Sequence, residues 1–412
     1  MASLIIHKPS IEKENGRTIL RYFISLTDGN LVENSSTLWF SFDEKYTDYI
    51  CYEVCDPVVL VLLQYCLKGG YDIESDVPMT DRLYYEIISQ YIPQMLLMNP
   101  SAHRFELRVK TICPDWKPTA VATAMSCGID SLTTFYEYTG DSYPEGFRLT
   151  HLTFYEQGAH HGGGGLTWKE QDKIYLAQLK KVKSFCEQAN VELIDVRSNL
   201  VDFFQTLLWH EQYDHTHTYR NMAITLLLQK LIRVYYYAST YNLDEFNCSL
   251  DTDAAHCEKW LLPTLSTSYT SFFSANSSLN RMEKIRFLAD KPETYDHVLV
   301  CYKEGNNCGT CMKCWRTMLG MELCGVLDLY RGSFDVDEFR DHYDYYVTQM
   351  LLMRRSEPLM QEIYDYMTGH EIEIPQKCLH DARIIERKAR IKNSALYSFL
   401  RRIKRRLKQL SR

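Results

Sequence analysis

The most constraining feature of this sequence is an alternation of two patterns that begins near residue 115. Short apolar runs such as "TAVATAM", "FRLTHLTFY" and "VELIDVRS" have the composition of buried strands. Longer runs such as "SLTTFYEYTG" and "WKEQDKIYLAQLKKVKSFCEQAN" follow the first two, with apolar residues at helical spacing. Such alternation predicts an α/β fold whose doubly wound parallel sheet is covered on both faces. The run "YRNMAITLLLQKLIRVYYYASTYN" is predicted as one long helix.

Residues 1–112 have a different pattern and are predicted to form an α+β module. "TILRYFISL" and "STLWFSF" have strand composition. "DPVVLVLLQYCLKGG" and "DRLYYEIISQYIPQMLLMNP" indicate helices that end at Gly-Gly and Asn-Pro. The expected domains are therefore 1–112, a nucleotide-binding domain at 113–330, and a helical region at 331–412.

The chain has 412 residues, which is enough for two cores. No apolar run approaches a membrane span, and the start "MASLIIHKPSIEKENG" lacks the apolar core of a signal peptide. Four of the 14 cysteines fall within residues 301–314. This clustering favours a metal site in a reducing compartment over a disulfide framework, so we expect a cytoplasmic protein.

The clustered cysteines have the spacing Cys-x6-Cys-x2-Cys-x2-Cys, in "CYKEGNNCGTCMKC". Cys301, Cys308, Cys311 and Cys314 could close a tetrahedral Zn²⁺ site, with Gly309 easing the tight turn. Four protein ligands leave no open position, so the zinc would be structural. An iron–sulfur cluster and four buried free thiols are the alternatives.

The segment "SCGIDS", residues 126–131, lies between a predicted strand and a predicted helix. Such a turn can present backbone N–H groups and a helix N-terminus to a phosphate. Ser126 and Ser131 add hydroxyl donors, and an acid at Asp130 suits a Mg²⁺ that bridges to phosphates. The alternative is an ordinary N-cap, in which Asp130 or Ser131 caps the helix and Gly128 makes the turn.

This segment resembles the "SGGxDS" pyrophosphate loop of the PP-loop ATP pyrophosphatases, with Cys127 in place of the first glycine. With "CGTCMKC" following some 170 residues later, the chain resembles the 7-cyano-7-deazaguanine synthase family of queuosine biosynthesis. "YRN", with Arg220 and Asn221, and "NRMEKIRFLAD", with Lys284, match two further family segments. The likeness covers about residues 118–325.

The resemblance implies an ATP-dependent ligase that forms carbon–nitrogen bonds. A carboxylate or amide oxygen attacks the α-phosphate of ATP, pyrophosphate leaves, and ammonia or another amine displaces AMP. Asp130, Ser131, Arg220 and Lys284 are the implied catalytic residues, with Arg220 and Lys284 offsetting phosphate charge and Asp130 holding Mg²⁺. The implied ATP-binding residues are Ser126, Cys127, Gly128, Asp130, Ser131 and Asn221.

The chain departs from the family at the segments that recognise substrate, so substrate identity does not carry over. "EQGAHHGGGG" could be a lid in which His160 or His161 moves a proton, or a flexible loop. "DTDAAHCEKW" could form an acceptor pocket or simply begin a capped helix. His210, His215 and His217 could bind a metal or be ordinary polar residues. A sulfur-transferring tRNA-modifying enzyme and a non-catalytic nucleotide-binding protein remain alternative functions.

Residues 383–412 carry twelve Lys or Arg and one acid. Since the whole chain has a net charge of -7, the remainder is strongly acidic. Within this tail, apolar residues recur at helical steps of three and four from Leu396 to Leu410. A basic amphipathic helix of this kind can contact an anionic membrane, RNA or the acidic body. A homo-oligomer is also expected.

Overall fold

The computed structural model describes residues 2–28, 31, 36–159, 166–301, 303 and 305–393. The chain divides into two compact units. The first comprises Met1–Asn280 and His297–Asn306, and the second comprises Arg281–Asp296 and Asn307–Arg412. All the strands described below lie in the first unit.

The strands are numbered in chain order. They are β1 (Ser3–Ile6), β2 (Ser10–Glu14), β3 (Arg17–Leu26), β4 (Thr37–Asp43), β5 (Asp72–Ser75), β6 (Met79–Thr80), β7 (Leu107–Arg108), β8 (Thr111–Ile112), β9 (Ala120–Ala124), β10 (His151–Tyr155), β11 (Glu192–Ser198), β12 (Ile232–Ala238) and β13 (Ser271–Ala275).

The α-helices are numbered in the same way. They are α1 (Asp56–Gly69), α2 (Asp81–Glu86), α3 (Ile92–Met98), α4 (Ile129–Tyr138), α5 (Trp168–Ala189), α6 (Leu200–Thr206), α7 (Tyr213–Leu226), α8 (Glu258–Thr264), α9 (Arg281–Ala289), α10 (Met312–Leu323), α11 (Val336–Asp341), α12 (Tyr343–Met353), α13 (Pro358–Gly369) and α14 (Gln376–Asn393). Short 3-10 helices span Glu44–Tyr49, Glu145–Phe147, Leu243–Glu245, Ala254–His256, Pro292–Thr294 and Leu327–Tyr330, and a π-helical turn spans Ile87–Tyr91.

The described strands form one large sheet and a small β6–β8 pair. The order in the large sheet is β13-β12-β9-β10-β11-β4-β3-β1-β5-β7, and β2 pairs with β3. All pairs from β13 to β11 are parallel, which confirms the α/β class and the parallel sheet predicted from the alternation. The sheet then turns antiparallel at β11–β4, β4–β3 and β3–β1.

The order of the parallel strands determines where a ligand is expected. From β9 the chain proceeds to β10 and β11 on one side, then returns to place β12 and β13 on the other side. The strand order therefore reverses between β9 and β12. In open α/β sheets, ligands bind at the carboxyl ends of the strands beside such a reversal.

The prediction of one helix over residues 219–242 is wrong. Helix α7 ends at Leu226, and Ile232–Ala238 is strand β12, paired with β9 and β13. The run "IRVYYYA" is rich in β-branched and aromatic residues, which pack well in a sheet. In a continuous apolar run, the spacing of the residues does not distinguish a buried strand from a buried helix.

The first 112 residues contain the predicted strands β3 and β4 and the predicted helix α1. Helix α1 ends at Gly69 and is capped by Gly70, whose φ of 71° is the left-handed conformation that glycine adopts readily. Strand β4 pairs with β11, with Val196 opposite Phe42, so the large sheet continues across residue 112. The boundaries at residues 112 and 330 remain predictions from the sequence pattern.

The second unit is helical in its described residues, with α12 packed on α10, α13 and α14. Residues 394–412, which carry the amphipathic stripe from Leu396 to Leu410, lie outside the described residues. Among the helices described, none combines the length and the apolar character that crossing a bilayer requires.

Candidate functional site

The segment 126–131 forms a tight connection between β9 and α4. The Ser126 and Ser131 hydroxyl oxygens are 3.2 Å apart, and the Gly128 N–H donates to Ser126 Oγ at 3.3 Å. Ser131 Oγ in turn donates to the Gly128 carbonyl at 3.1 Å. Gly128 is the N-cap of α4, so the first N–H groups of this ten-residue helix have no acceptor within the helix. The turn thus combines hydroxyl groups with a helix N-terminus beside the reversal of strand order.

Cys127 has a φ of +58°, in the left-handed region that side chains with a Cβ rarely occupy. The resemblance to the PP-loop motif puts a glycine at this position. The Leu299 N–H donates to the Cys127 carbonyl at 2.8 Å, which fixes the backbone there. The backbone conformation is therefore one that glycine would adopt without strain, although the residue is cysteine.

The Cys127 thiol is fully buried, and this burial raises its pKa to about 12. A thiol becomes a strong nucleophile only as a thiolate. The geometry therefore argues against Cys127 as the reactive cysteine that a sulfur-transferring enzyme would need.

Asp130 lies in the first turn of α4 and is partly exposed. Its carbonyl accepts a hydrogen bond from Thr134 Oγ1 at 2.9 Å. Asp130 directly precedes Ser131, so both residues belong to the first turn of the helix.

Arg220 lies on α7 and is 2% exposed. Its Nε donates to Thr216 Oγ1 at 2.9 Å, and its Nη1 donates to the Gln157 carbonyl at 3.0 Å. The guanidinium lies 4.2 Å from the centre of the Phe204 ring. Gln157 follows β10, the strand next to β9, so Arg220 is bonded to the loop that neighbours segment 126–131.

Arg220 has no carboxylate within 4.0 Å in the part of the chain that the structure describes. Its burial lowers the pKa of the guanidinium to about 10, against the weaker opposing effects of Tyr213, Tyr65 and the carboxylates of Glu211 and Asp214. A buried cation that has no ion pair within 4.0 Å is unfavourable, and an anion bound beside it would offset that cost. This is the arrangement expected of an anion-binding arginine.

The two other residues matched by resemblance are both buried. Asn221 follows Arg220 on α7 and accepts from Thr225 Oγ1 through its carbonyl at 2.9 Å. Lys284 lies on α9, in the second unit. Their predicted roles at ATP stay predictions.

The predicted lid segment is described only in part. Glu156 is buried in an ion pair with Arg197, with Arg197 Nε 2.5 Å from Glu156 Oε2. Gly158 has a φ of +115°, and a Cβ there would come within 2.8 Å of the Tyr213 ring. His160, His161 and the four glycines lie outside the described residues.

The three predicted histidines do not share a metal site among the described residues. His210 is exposed, and the carbonyl of His215 accepts from Gln64. His217 bonds two side chains: its Nδ1 lies 2.7 Å from Tyr237 Oη, and its Nε2 lies 2.7 Å from Asp253 Oδ1.

The segment "DTDAAHCEKW" contributes one side chain to this arrangement. Asp251 is exposed, His256 stacks on Tyr241 at 4.1 Å, and Cys257 is buried. Only Asp253 bonds His217. Tyr237 and the Arg220 partner Gln157 were not found from the sequence, because each is brought to the site by a strand of the sheet.

The four cysteines of the predicted metal site come together. Their Sγ atoms all lie within 4.8 Å of one another. The Cys311 N–H donates to Cys308 Sγ at 3.4 Å, and Gly309 between them has a φ of +72°. Thiolates about 2.3 Å from a tetrahedral zinc ion lie about 3.8 Å apart, so the group can hold a metal such as zinc.

Comparison of this chain with protein-family models, with curated proteins and with solved structures found no match.

Proposed function

We propose that this chain is an ATP-dependent adenylating enzyme of the PP-loop type. It would activate a carboxylate or amide as an adenylate with release of pyrophosphate, and then form a carbon–nitrogen bond, as in 7-cyano-7-deazaguanine synthases. One observation carries the proposal: a hydroxyl-lined turn at a helix N-terminus lies where the strand order reverses, with a buried arginine bonded to the neighbouring loop.

In this proposal Ser126, Cys127, Gly128 and Ser131 surround the pyrophosphate. Their backbone N–H groups and hydroxyls would donate to it, since phosphate oxygens only accept. Arg220 would stabilise the negative charge that develops on the leaving pyrophosphate. Stabilisation of developing charge is usually the largest contribution to the rate enhancement by an enzyme. Asn221 would complete the nucleotide contacts within the first unit.

Asp130 would hold Mg²⁺, because a carboxylate in the first turn of α4 offers the oxygen ligand that this ion prefers. The bound ion would neutralise part of the negative charge of the phosphates. The protein's own contribution is placement, since the rigid turn between β9 and α4 fixes Asp130 and Ser131 relative to each other.

The cysteine group would hold a structural zinc ion. Four protein thiolates leave no ligand position for a substrate, so the zinc would stabilise the fold around residues 301–314 rather than take part in the reaction. An iron–sulfur cluster is the alternative occupant that four cysteines also accommodate.

The test is to incubate the protein with Mg·ATP, ammonia and a panel of carboxylates, and to measure AMP and pyrophosphate. We expect both products in equal amounts with the correct carboxylate, and none from Asp130→Asn. Asp141→Asn is the matched control, because Asp141 is a surface acid with a 96% exposed side chain.

Two other results would replace the proposal. AMP release that depends on added tRNA would favour a tRNA-modifying enzyme. Tight ATP binding with neither AMP nor pyrophosphate formed would favour a non-catalytic nucleotide-binding protein, and unchanged ATP affinity in Asp130→Asn, Ser131→Ala and Arg220→Ala would count against the whole assignment.

A further inference from the structure

Three side chains from separate parts of the first unit form a continuous hydrogen-bonded chain. Asp253 precedes the 3-10 helix Ala254–His256, His217 is on α7, and Tyr237 is on β12. The two connecting distances are both 2.7 Å. The partners are 36 and 20 residues from His217, so the fold and not local sequence assembles this chain.

The chemistry of the three groups determines which of them donates and which accepts in each hydrogen bond. Although burial acts to raise the pKa of Asp253, favourable interactions that include hydrogen bonds from His217 and the Ala255 N–H outweigh it and lower that pKa. An ionised carboxylate only accepts, so His217 Nε2–H donates to Asp253. With its proton on Nε2, the His217 ring has a lone pair on Nδ1, which can accept the Tyr237 hydroxyl proton.

The Tyr237 hydroxyl is the end of the chain opposite Asp253. Thr218 Oγ1 donates to Tyr237 Oη at 3.3 Å, which occupies one of the two acceptor positions of that oxygen. Its proton is directed to His217, so one acceptor position remains. A proton delivered to that position can pass through His217 toward Asp253.

The chain of groups lies at the edge of the sheet where the nucleotide is proposed to bind. Tyr236 pairs with Thr123 of β9, so Tyr237 is one position nearer the carboxyl edge, where segment 126–131 begins. His217 and Arg220 are one helical turn apart on α7. The Tyr213 ring connects them, 5.4 Å from the His217 ring and 5.4 Å from the Arg220 guanidinium.

We propose that Tyr237, His217 and Asp253 accept the proton released when an amine displaces AMP from the adenylate. This inference rests on the adenylating function proposed above. It adds the base that deprotonates the nitrogen nucleophile of that function, and it names Tyr237 as the residue that contacts this nucleophile.

The amine nitrogen attacks the activated carbon and forms the C–N bond, and the bond from that carbon to the AMP phosphate oxygen breaks with its electron pair leaving on AMP. The surplus proton on nitrogen goes to Tyr237 Oη while the Tyr237 proton goes to His217 Nδ1. Asp253 stabilises the resulting imidazolium, so His217 and Asp253 are positioning residues.

The experiment measures the two half-reactions separately, with the carboxylate that supports AMP release in the preceding test. Exchange of labelled pyrophosphate into ATP reports adenylate formation. Amide formation with ammonia reports the second step. Hydroxamate formation reports the same step with hydroxylamine, a nucleophile that is neutral and strongly reactive near neutral pH.

We expect Tyr237→Phe and His217→Gln to keep pyrophosphate exchange within twofold of wild type. Amide formation with ammonia should fall at least 100-fold, in the range that general base catalysis supplies. Hydroxamate formation should fall less than tenfold, because hydroxylamine depends less on a base. Asp253→Asn should resemble His217→Gln.

Tyr236→Phe is the matched control, because the Tyr236 hydroxyl donates to the Phe147 carbonyl and lies outside the chain of groups. Equal loss of exchange, amide and hydroxamate in Tyr237→Phe would show a merely structural role and overturn the inference. Unchanged amide formation would also overturn it. Absence of exchange in the wild type would instead overturn the adenylating function itself, and this inference with it.

Discussion

The backbone at Cys127 and the charge at Arg220 are the two residue-scale features that deviate most from ordinary packing. Cys127 adopts a left-handed backbone conformation that few residues with a Cβ occupy, and Arg220 is a buried cation with no carboxylate within 4.0 Å among the described residues. The motif comparison singled out both positions. The sequence showed the unusual residue at 127, while the φ angle and the burial of Arg220 required the structure.

Cys127→Gly should stabilise the protein relative to Cys127→Ala. At an ordinary position glycine is less stable than alanine by about 0.5–1 kcal/mol. A left-handed backbone penalises any residue with a Cβ by about 1–2 kcal/mol, so the order should reverse at φ +58°. Urea unfolding of the two variants measures the difference, and both lack the thiol.

The same glycine variant restores the usual PP-loop motif, so it should keep or raise AMP release. An alanine variant more stable than the glycine variant would contradict the left-handed backbone. Loss of activity in Cys127→Gly alone would show that the thiol has a role of its own.

Pyrophosphate should stabilise the folded protein through Arg220. A ligand present at 100 times its Kd stabilises the folded state by about 2.7 kcal/mol. We expect Mg·pyrophosphate to raise the Tm of the wild type and to raise that of Arg220→Gln by less than half as much. Differential scanning fluorimetry measures both shifts.

Arg148→Gln is the control, because Arg148 pairs with Asp141 near the surface and not with the proposed site. An equal rise in Tm for the wild type and Arg220→Gln would place the anion elsewhere.

At the scale of elements, spacing predicted α4, α5 and the strands β9 to β11, because each is bounded by turn residues. It failed at β12, where an apolar run suited both a helix and a strand. That error concealed Tyr237, since only strand β12 brings it to His217. The cysteine segment was recognisable because its ligands lie within 14 residues. Gln157, which bonds Arg220, lies 63 residues away from it, and the partners of His217 lie 20 and 36 residues away.

The purified protein should contain one zinc ion and be colourless. Cys311→Ser should lose the metal and lower the Tm, because the binding energy of a structural metal is part of the folding energy. Metal analysis and thermal melts of this variant measure both effects. Cys113→Ser, which replaces an exposed cysteine outside the group, should change neither.

A brown protein with visible absorbance would assign an iron–sulfur cluster. Four titratable thiols at residues 301–314 with no metal would contradict both kinds of site.

At the scale of the whole molecule, the charged residues are unevenly distributed along the chain. Residues 383–412 carry twelve basic residues and one acid, whereas the chain as a whole has a net charge of -7. The described part of this region, up to residue 393, belongs to α14, and the amphipathic stripe follows outside the described residues. Its role therefore rests on sequence alone, in contrast to the site of the first unit.

Removal of residues 395–412 should abolish binding to anionic surfaces and leave pyrophosphate release and the zinc content unchanged. Each basic group near an anionic surface contributes about 1 kcal/mol, and salt weakens it, so binding should be strong only at low ionic strength. Sedimentation with phosphatidylserine vesicles and retention on immobilised RNA, each at low and high salt, compare the full chain with the truncated one. Binding by the full chain to one surface identifies the partner class. If truncation lowers the Tm, or if neither surface retains the full chain at low salt, the tail is a helix packed on the acidic body and makes no external contact.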